Sequence, residues 1–215
     1  MANAAKSADK LNLVKLHKHE YRATAKPVLV DVSDGLYLVV RGRGGPGSPL
    51  FQERVEALYA MAYGVKFHNK QAGRDFVVGK LEALYGVDGQ SLDDLATLDK
   101  ADWHWRLLIR VPEFVAPEHL DATRQTLRAK GKTGDYDVVQ LEAISEGPCA
   151  QVLHVGPYEN EAETLAMLQS FVAEQGRIAH RWHHEIYLND PRRVPAERLR
   201  TILRHPVTEL ASNPC

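Results

Sequence analysis

The chain has 215 residues, 44% of them hydrophobic and 26% charged, and its 27 Lys and Arg nearly balance 28 Asp and Glu. With no basic stripe, that balance excludes an electrostatic nucleic-acid footprint. The longest apolar runs also fall far short of the roughly 20 residues that a membrane-spanning helix needs.

The start, "MANAAKSADKLNLVKLHKHEYRATAKP", has no uninterrupted apolar stretch followed by a small-residue cleavage site, so a soluble, cytoplasmic protein is expected. Residues 1–25 read as a loose lead-in with one short helix, and residues 26–215 as a single domain. Cys149 and Cys215 make neither a disulfide framework nor a zinc ligand set.

"PVLVDVSDGLYLVVRGRG" predicts two strands around a turn at Ser33-Asp34-Gly35. "SPLFQERVEALYAMAYG" predicts a helix capped by Ser48 with Pro49 at its start. Phe51, Val55, Leu58 and Ala62 lie on one face of it, and Tyr59 and Tyr63 are four residues apart. "DFVVGKLEALYG" predicts a further strand, "DGQSLDDLATLDKAD" an acidic turn, and "WHWRLLIRVP" another strand. "APEHLDATRQTLRAKG" has the start and stop signals of a helix.

"VVQLEAISEGPCAQVLHVG" then repeats the first pair of strands. Ser145, Glu146, Gly147 and Gly156 each follow Ser33, Asp34, Gly35 and Gly44 by 112 residues. A second helix, "ENEAETLAMLQSFVAEQG", carries Asn160 with Glu163 as its N-terminal signature and an apolar stripe of Leu165, Leu168 and Val172. The strand after it, "WHHEIYLNDP", matches "WHWRLLIRVP" at Trp103/Trp182, His104/His183 and Pro112/Pro191, each 79 residues apart. A last short helix is expected from Pro195 through "AERLRTILR".

Two β-β-α-β units follow, about 26–115 and 116–207. Hairpins cannot build an all-parallel sheet, so the expected class is α+β, with helices on one side of antiparallel strands. A pseudo-twofold between the halves would leave a ligand cleft at their junction.

Alternation in the strand 183–187 turns His183, Glu185 and Tyr187 to one face. A carboxylate between an imidazole and a phenol, walled by aromatic groups, suits a general base or a seat for a cation. Three other motifs are set aside. Gly42, Gly44 and Gly47 spell a G-x-G-x-x-G, but no acid ends a second parallel strand about 20 residues on, so a wide turn is expected. His183-x-Glu185 has the spacing of a zinc-deaminase motif without its C-x-x-C, so no metal and no cofactor are assigned. Cys149 is expected to be a buried structural thiol.

The strings "EGPCAQVLHVGPYENEAETLAMLQSFVAEQG", "HHEIYLNDPRRVPAERLRTILRHPV", "LYLVVRGRGGPGSPLFQERVEALYAMAYGVKF" and "WHWRLLIRVPEF" resemble GyrI-like small-molecule-binding proteins over residues 27–207. The resemblance implies a duplicated SHS2-like fold whose cleft takes hydrophobic, often cationic, compounds. It also implies a free-standing pocket without a DNA-binding extension. Some stand-alone relatives hydrolyse cyclopropane-bearing alkylating compounds, others act as multidrug sensors, and one inhibits gyrase; all three classes stay open here.

On that resemblance Glu185 and Glu82 face one cleft and divide acid and base roles. Trp105, Tyr85, Tyr158, His183, Tyr187 and Tyr63 are the candidate ligand contacts. Tyr85-Gly86 stands where the family often has Trp, which alters the expected pocket depth.

Overall fold

The computed structural model describes residues 10–86, 99–180 and 182–210. Its elements, in chain order, are α1 (Leu13–Leu16), β1 (Val28–Val32), β2 (Gly35–Arg43), α2 (Pro49–Gln71), β3 (Glu82–Gly86), β4 (His104–Val111) and α3 (Pro117–Ala129). There follow β5 (Gln140–Ile144), β6 (Gly147–Val155), α4 (Glu161–Glu174), β7 (Arg177–Ala179), β8 (His183–Tyr187) and β9 (Arg200–Glu209). Most of the predicted acidic turn, and Cys215, lie outside the described residues. Among the described residues no helix is long and apolar enough to cross a membrane.

The class is α+β, with one large antiparallel sheet in the order β1-β6-β9-β8-β3-β4-β2-β5 and β7 attached to β9. α2 buries Leu58, Met61 and Val65 against Leu38, Val40, Leu107 and Ile109 of β2 and β4. α4 buries Leu168 and Val172 against Val152 and Leu203 of β6 and β9. Register places all these strand residues on one face, so both helices cover the same side of the sheet.

The strand order reverses onto itself when β1, β2, β3 and β4 are exchanged with β5, β6, β8 and β9. Two corrections follow. The strands at Ser33-Asp34-Gly35 do not form a hairpin, because β1 pairs with β6 and β2 with β5. Nor is β8 the counterpart of β4. Carried through the registers from Gly35/Gly147, β4 falls on β9 and β3 on β8, so Tyr85 corresponds to Tyr187. At the central β3–β8 seam Ala83 pairs with Glu185, and the exchange returns that pair to itself.

The predicted last helix is a single turn, Ala196–Arg198, followed by β9. Leu199, Ile202 and Leu203 have helical spacing, but β9 lies between β6 and β8 and is buried on both faces, which erases strand alternation. Asn160 stands at the N-cap of α4 without a side-chain capping bond. Gly44 and Gly47 have φ of 109° and 84°, in keeping with a wide turn. Cys149 is buried, and burial holds its thiol well above the ordinary range.

Residues 10–27 are not loose. Leu11 joins the core under α2, while Tyr21 and Ala23 pack on the opposite face against Ile186 and Ile202. Arg204 donates to the Glu20 carbonyl, and Gln151 Nε2 donates to the His19 carbonyl at 3.1 Å. Arg110 binds the Glu20 carboxylate at 2.6 Å, with both side chains buried.

The centre of that face is ionic. His184 Nδ1 lies 2.9 Å from Glu146, its Nε2 lies 3.1 Å from Glu82, and Arg204 lies 3.1 Å from Glu146. Burial opposes the charge on Glu146, but His184 and Arg204 outweigh it and hold the carboxyl at about 2. Burial likewise opposes the charge on His184, yet Glu146 and Glu82 lift it to about 9. The Glu146 contribution to stability is therefore complete above about pH 4.5 and is lost as pH falls toward 2. Urea unfolding across that window is expected to show falling stability in the native protein and a flatter acid slope in Glu146→Gln.

Candidate functional site

The β3–β8 register sorts the candidate residues between the two faces. Ala83 and Tyr85 share a face with Glu185 and His183, while Glu82 and Leu84 share the other with Ile186 and His184. Glu82 and Glu185 therefore stand on opposite sides of the sheet, which corrects the expectation of one cleft. Glu82 is fully buried, accepts a hydrogen bond of 2.7 Å from Tyr21, and faces His184. Its surroundings make it part of the ionic core that ties the N-terminal segment to the sheet.

Glu185 stands on the helix-covered face, 8% exposed. Tyr187 donates to its Oε2 at 2.7 Å, and the Tyr85 and Tyr187 hydroxyls are 2.8 Å apart. Tyr187 has one hydroxyl proton and gives it to Glu185, so Tyr85 donates to Tyr187 in turn. His183 Nε2 lies 3.2 Å from Glu185 Oε1, and His183 Nδ1 lies 3.0 Å from His205 Nε2 on β9. Burial and the neighbouring His183 lower His205 to about 3, so it is neutral.

Tyr158 sits on the turn Tyr158–Asn160 ahead of α4, edge-on to Tyr187 with ring centroids 5.8 Å apart. Burial, then Glu185, raises its hydroxyl to about 12. Tyr85, Tyr158, His183 and Tyr187 are thus gathered around Glu185.

Trp105 and Tyr63 are not. Trp105 is 1% exposed, edge-on to Phe51, and its Nε1 donates to the Gly44 carbonyl at 3.1 Å. A Cβ at Gly42 would lie 2.1 Å from its Cη2, so the indole lies flat on bare backbone with no open ring face. Tyr63 is 48% exposed on α2, stacked between Tyr59 and Phe67.

Three neighbours escape the sequence reading. Trp103 is partly buried, 5.6 Å from the Tyr85 ring, with Lys100 above it. His205 lies in a stretch read as following a helix. Glu161, the first residue of α4, is 8% exposed, and one of its oxygens has no partner. One ligand atom each from Glu161, His183 and Glu185 lie within 4.8 Å of one another. Burial and the Glu185 charge push the Glu161 carboxyl well up, and Lys100 opposes them.

Two hollows of about 430 and 390 Å³ lie elsewhere. The larger is lined by Arg41, Gly42, Arg43, His104, Trp105, Arg106 and Trp182. Neither is lined by Glu185, around which Tyr85, Tyr158, His183 and Tyr187 gather.

The GyrI-like small molecule binding domain pattern matches residues 126–208. An uncharacterized conserved protein from Listeria innocua is 34% identical, with 93% of this chain and all of that chain covered at a TM-score of 0.84. A hydrolase from Listeria innocua is 32% identical over the same shares, at 0.82. The C-terminal domain of EcmrR, 12% identical, shares the fold at 0.57 over 86% of this chain and 98% of that one. No curated protein matches.

Two substitutions separate the acids and the indole by role. Glu82→Gln should lower unfolding stability by about 3 kcal/mol, because it leaves His184 with a broken buried pair, while small-molecule binding is kept. Gly42→Ala should cost about 1–3 kcal/mol by displacing Trp105, read in the same unfolding experiment.

Proposed function

The chain belongs to the GyrI-like small-molecule-binding family, and from that premise we propose that it captures hydrophobic, electrophilic or cationic small molecules at Glu185. We further propose that it hydrolyses cyclopropane-bearing alkylating compounds there, as a cytoplasmic protective activity. The strand exchange symmetry is read as a duplicated SHS2-like unit, with the seat at the junction of its copies.

The observation that carries the reading is the state of Glu185. A buried carboxylate is fixed by Tyr187 and His183 in the middle of the sheet, with Tyr85, Tyr158 and Trp103 supplying aromatic surface nearby. Its position lets it take a proton from water as the water oxygen attacks the strained ring carbon. The ring bond breaks, its electron pair passes into the substrate's conjugated system, and the proton held by Glu185 passes to the anion so formed, which restores the base. Ring strain already lowers that barrier, so orientation supplies most of the remaining acceleration. Glu82 has no part in this step, because the sheet stands between it and Glu185. Tyr158 is partly exposed and edge-on to Tyr187, so its turn is the proposed side of entry for a guest.

A second reading, a non-catalytic binding or sensing module, is favoured by one feature. Both Glu185 oxygens are already engaged, by His183 and Tyr187, which suits a fixed anion that holds a cation better than a base that must accept a proton from water.

Incubation with a cyclopropane-bearing alkylator separates the two. Loss of many equivalents of compound per protein is expected for the hydrolase; loss of a single equivalent would leave only the binder. Glu185→Gln should reduce turnover by at least about 100-fold, the scale of a general base, and an unchanged rate would remove Glu185 from the chemistry.

A further inference from the structure

The geometry points to a second use of the seat: Glu161, His183 and Glu185 form a site for a divalent first-row metal ion, of which Zn²⁺ accepts one imidazole and two carboxylates as ligands. The strand alternation that turns His183 and Glu185 to one face brings His183 Nε2 and Glu185 Oε1 to 3.2 Å. Two ligands on a tetrahedral zinc with bonds of 2.0–2.1 Å lie about 3.3 Å apart. The strand thus holds two donors at ligand spacing, and Glu161 from the first turn of α4 completes a set in which all three atoms lie within 4.8 Å.

Three features favour an ion in this place. Glu161 is 8% exposed, and its Oε1 is buried without any hydrogen-bond partner. Such an oxygen is costly to leave unmade and is free to rotate onto a metal. His183 Nδ1 lies 3.0 Å from His205 Nε2, so when an ion takes the place of the Nε2 proton, the tautomer with its proton on Nδ1 donates to His205 and turns the Nε2 lone pair toward the ion. An imidazole oriented through its other nitrogen is the usual arrangement of a metal-bound histidine. All three donor residues are also buried, so an ion held there is shielded from bulk water. Three protein ligands leave a fourth position for water, as in zinc sites that bind or activate small molecules. His205 is a positioning residue here, since it reaches the ion only through His183.

The site stands whether or not the protein hydrolyses anything, and binding rather than activity tests it. Zn²⁺ is titrated into chelator-stripped protein by calorimetry, with thermal unfolding followed in parallel. One ion per chain and a rise in unfolding temperature are expected. Both should weaken by more than about tenfold in affinity in Glu161→Gln and by roughly 10–100-fold in His205→Ala. Uptake that survives Glu161→Gln but disappears in His68→Ala would place the ion at the His68–His119 ring pair and overturn the inference. Absence of saturable uptake would overturn it as well. If Glu161→Gln fails to fold, X-ray absorption at the zinc edge of the native complex still decides. One imidazole in an oxygen-dominated shell is expected, and two or more imidazoles would contradict the assignment.

Discussion

The antiparallel register of β3 against β8 is the constraint on which the rest of the structure depends. It sets Ala83 opposite Glu185, so the smallest available side chain lies beside the acid. A larger residue at 83 would crowd the carboxylate and its phenol. The same register separates two buried glutamates by the thickness of the sheet. One residue of slip would exchange the faces of every side chain on β8, sending Glu185 into the ionic core and His184 under the helices.

The two faces use buried charge differently. On the N-terminal segment's face, Glu82, Glu146, His184 and Arg204 balance one another in direct ion pairs. On the helix-covered face the carboxyls of Glu161 and Glu185 gather with His183, and Lys100 is the cation that acts on Glu161. Buried charges in balanced pairs lock segments together; buried acids in excess invite a proton, a metal or an organic cation. On the function proposed above, structure and function are thus divided between the sides of one sheet. The tyrosine chain from Tyr85 through Tyr187 holds the carboxylate in place on the helix-covered side.

Much of this was legible in the sequence. The period of two in "HHEIY" placed His183, Glu185 and Tyr187 together, and the offset between Gly35 and Gly147 identified strands that the sheet exchanges between its ends. Periodicity within a strand says nothing about the relative faces of two distant strands, however, so Glu82 was assigned to the wrong side. Glu161 looked like any acid in the first turn of a helix, where the helix dipole alone favours it. Only the packing of α4 over β6 and β9 brings its first residue to His183. β9 was hidden because burial on both faces leaves no alternation, and Trp105 misled because a large indole beside glycines can be a wall or a core.

The most direct measurement is a backbone and side-chain NMR titration of the native protein with a hydrophobic organic cation. Shifts concentrated at Tyr85, Tyr158, His183, Glu185 and Tyr187 are expected if the guest binds over the seam on the helix-covered face. Shifts confined to Arg41, Arg106 and Trp182, around the larger hollow, would contradict it and move the binding function to the other side of the sheet.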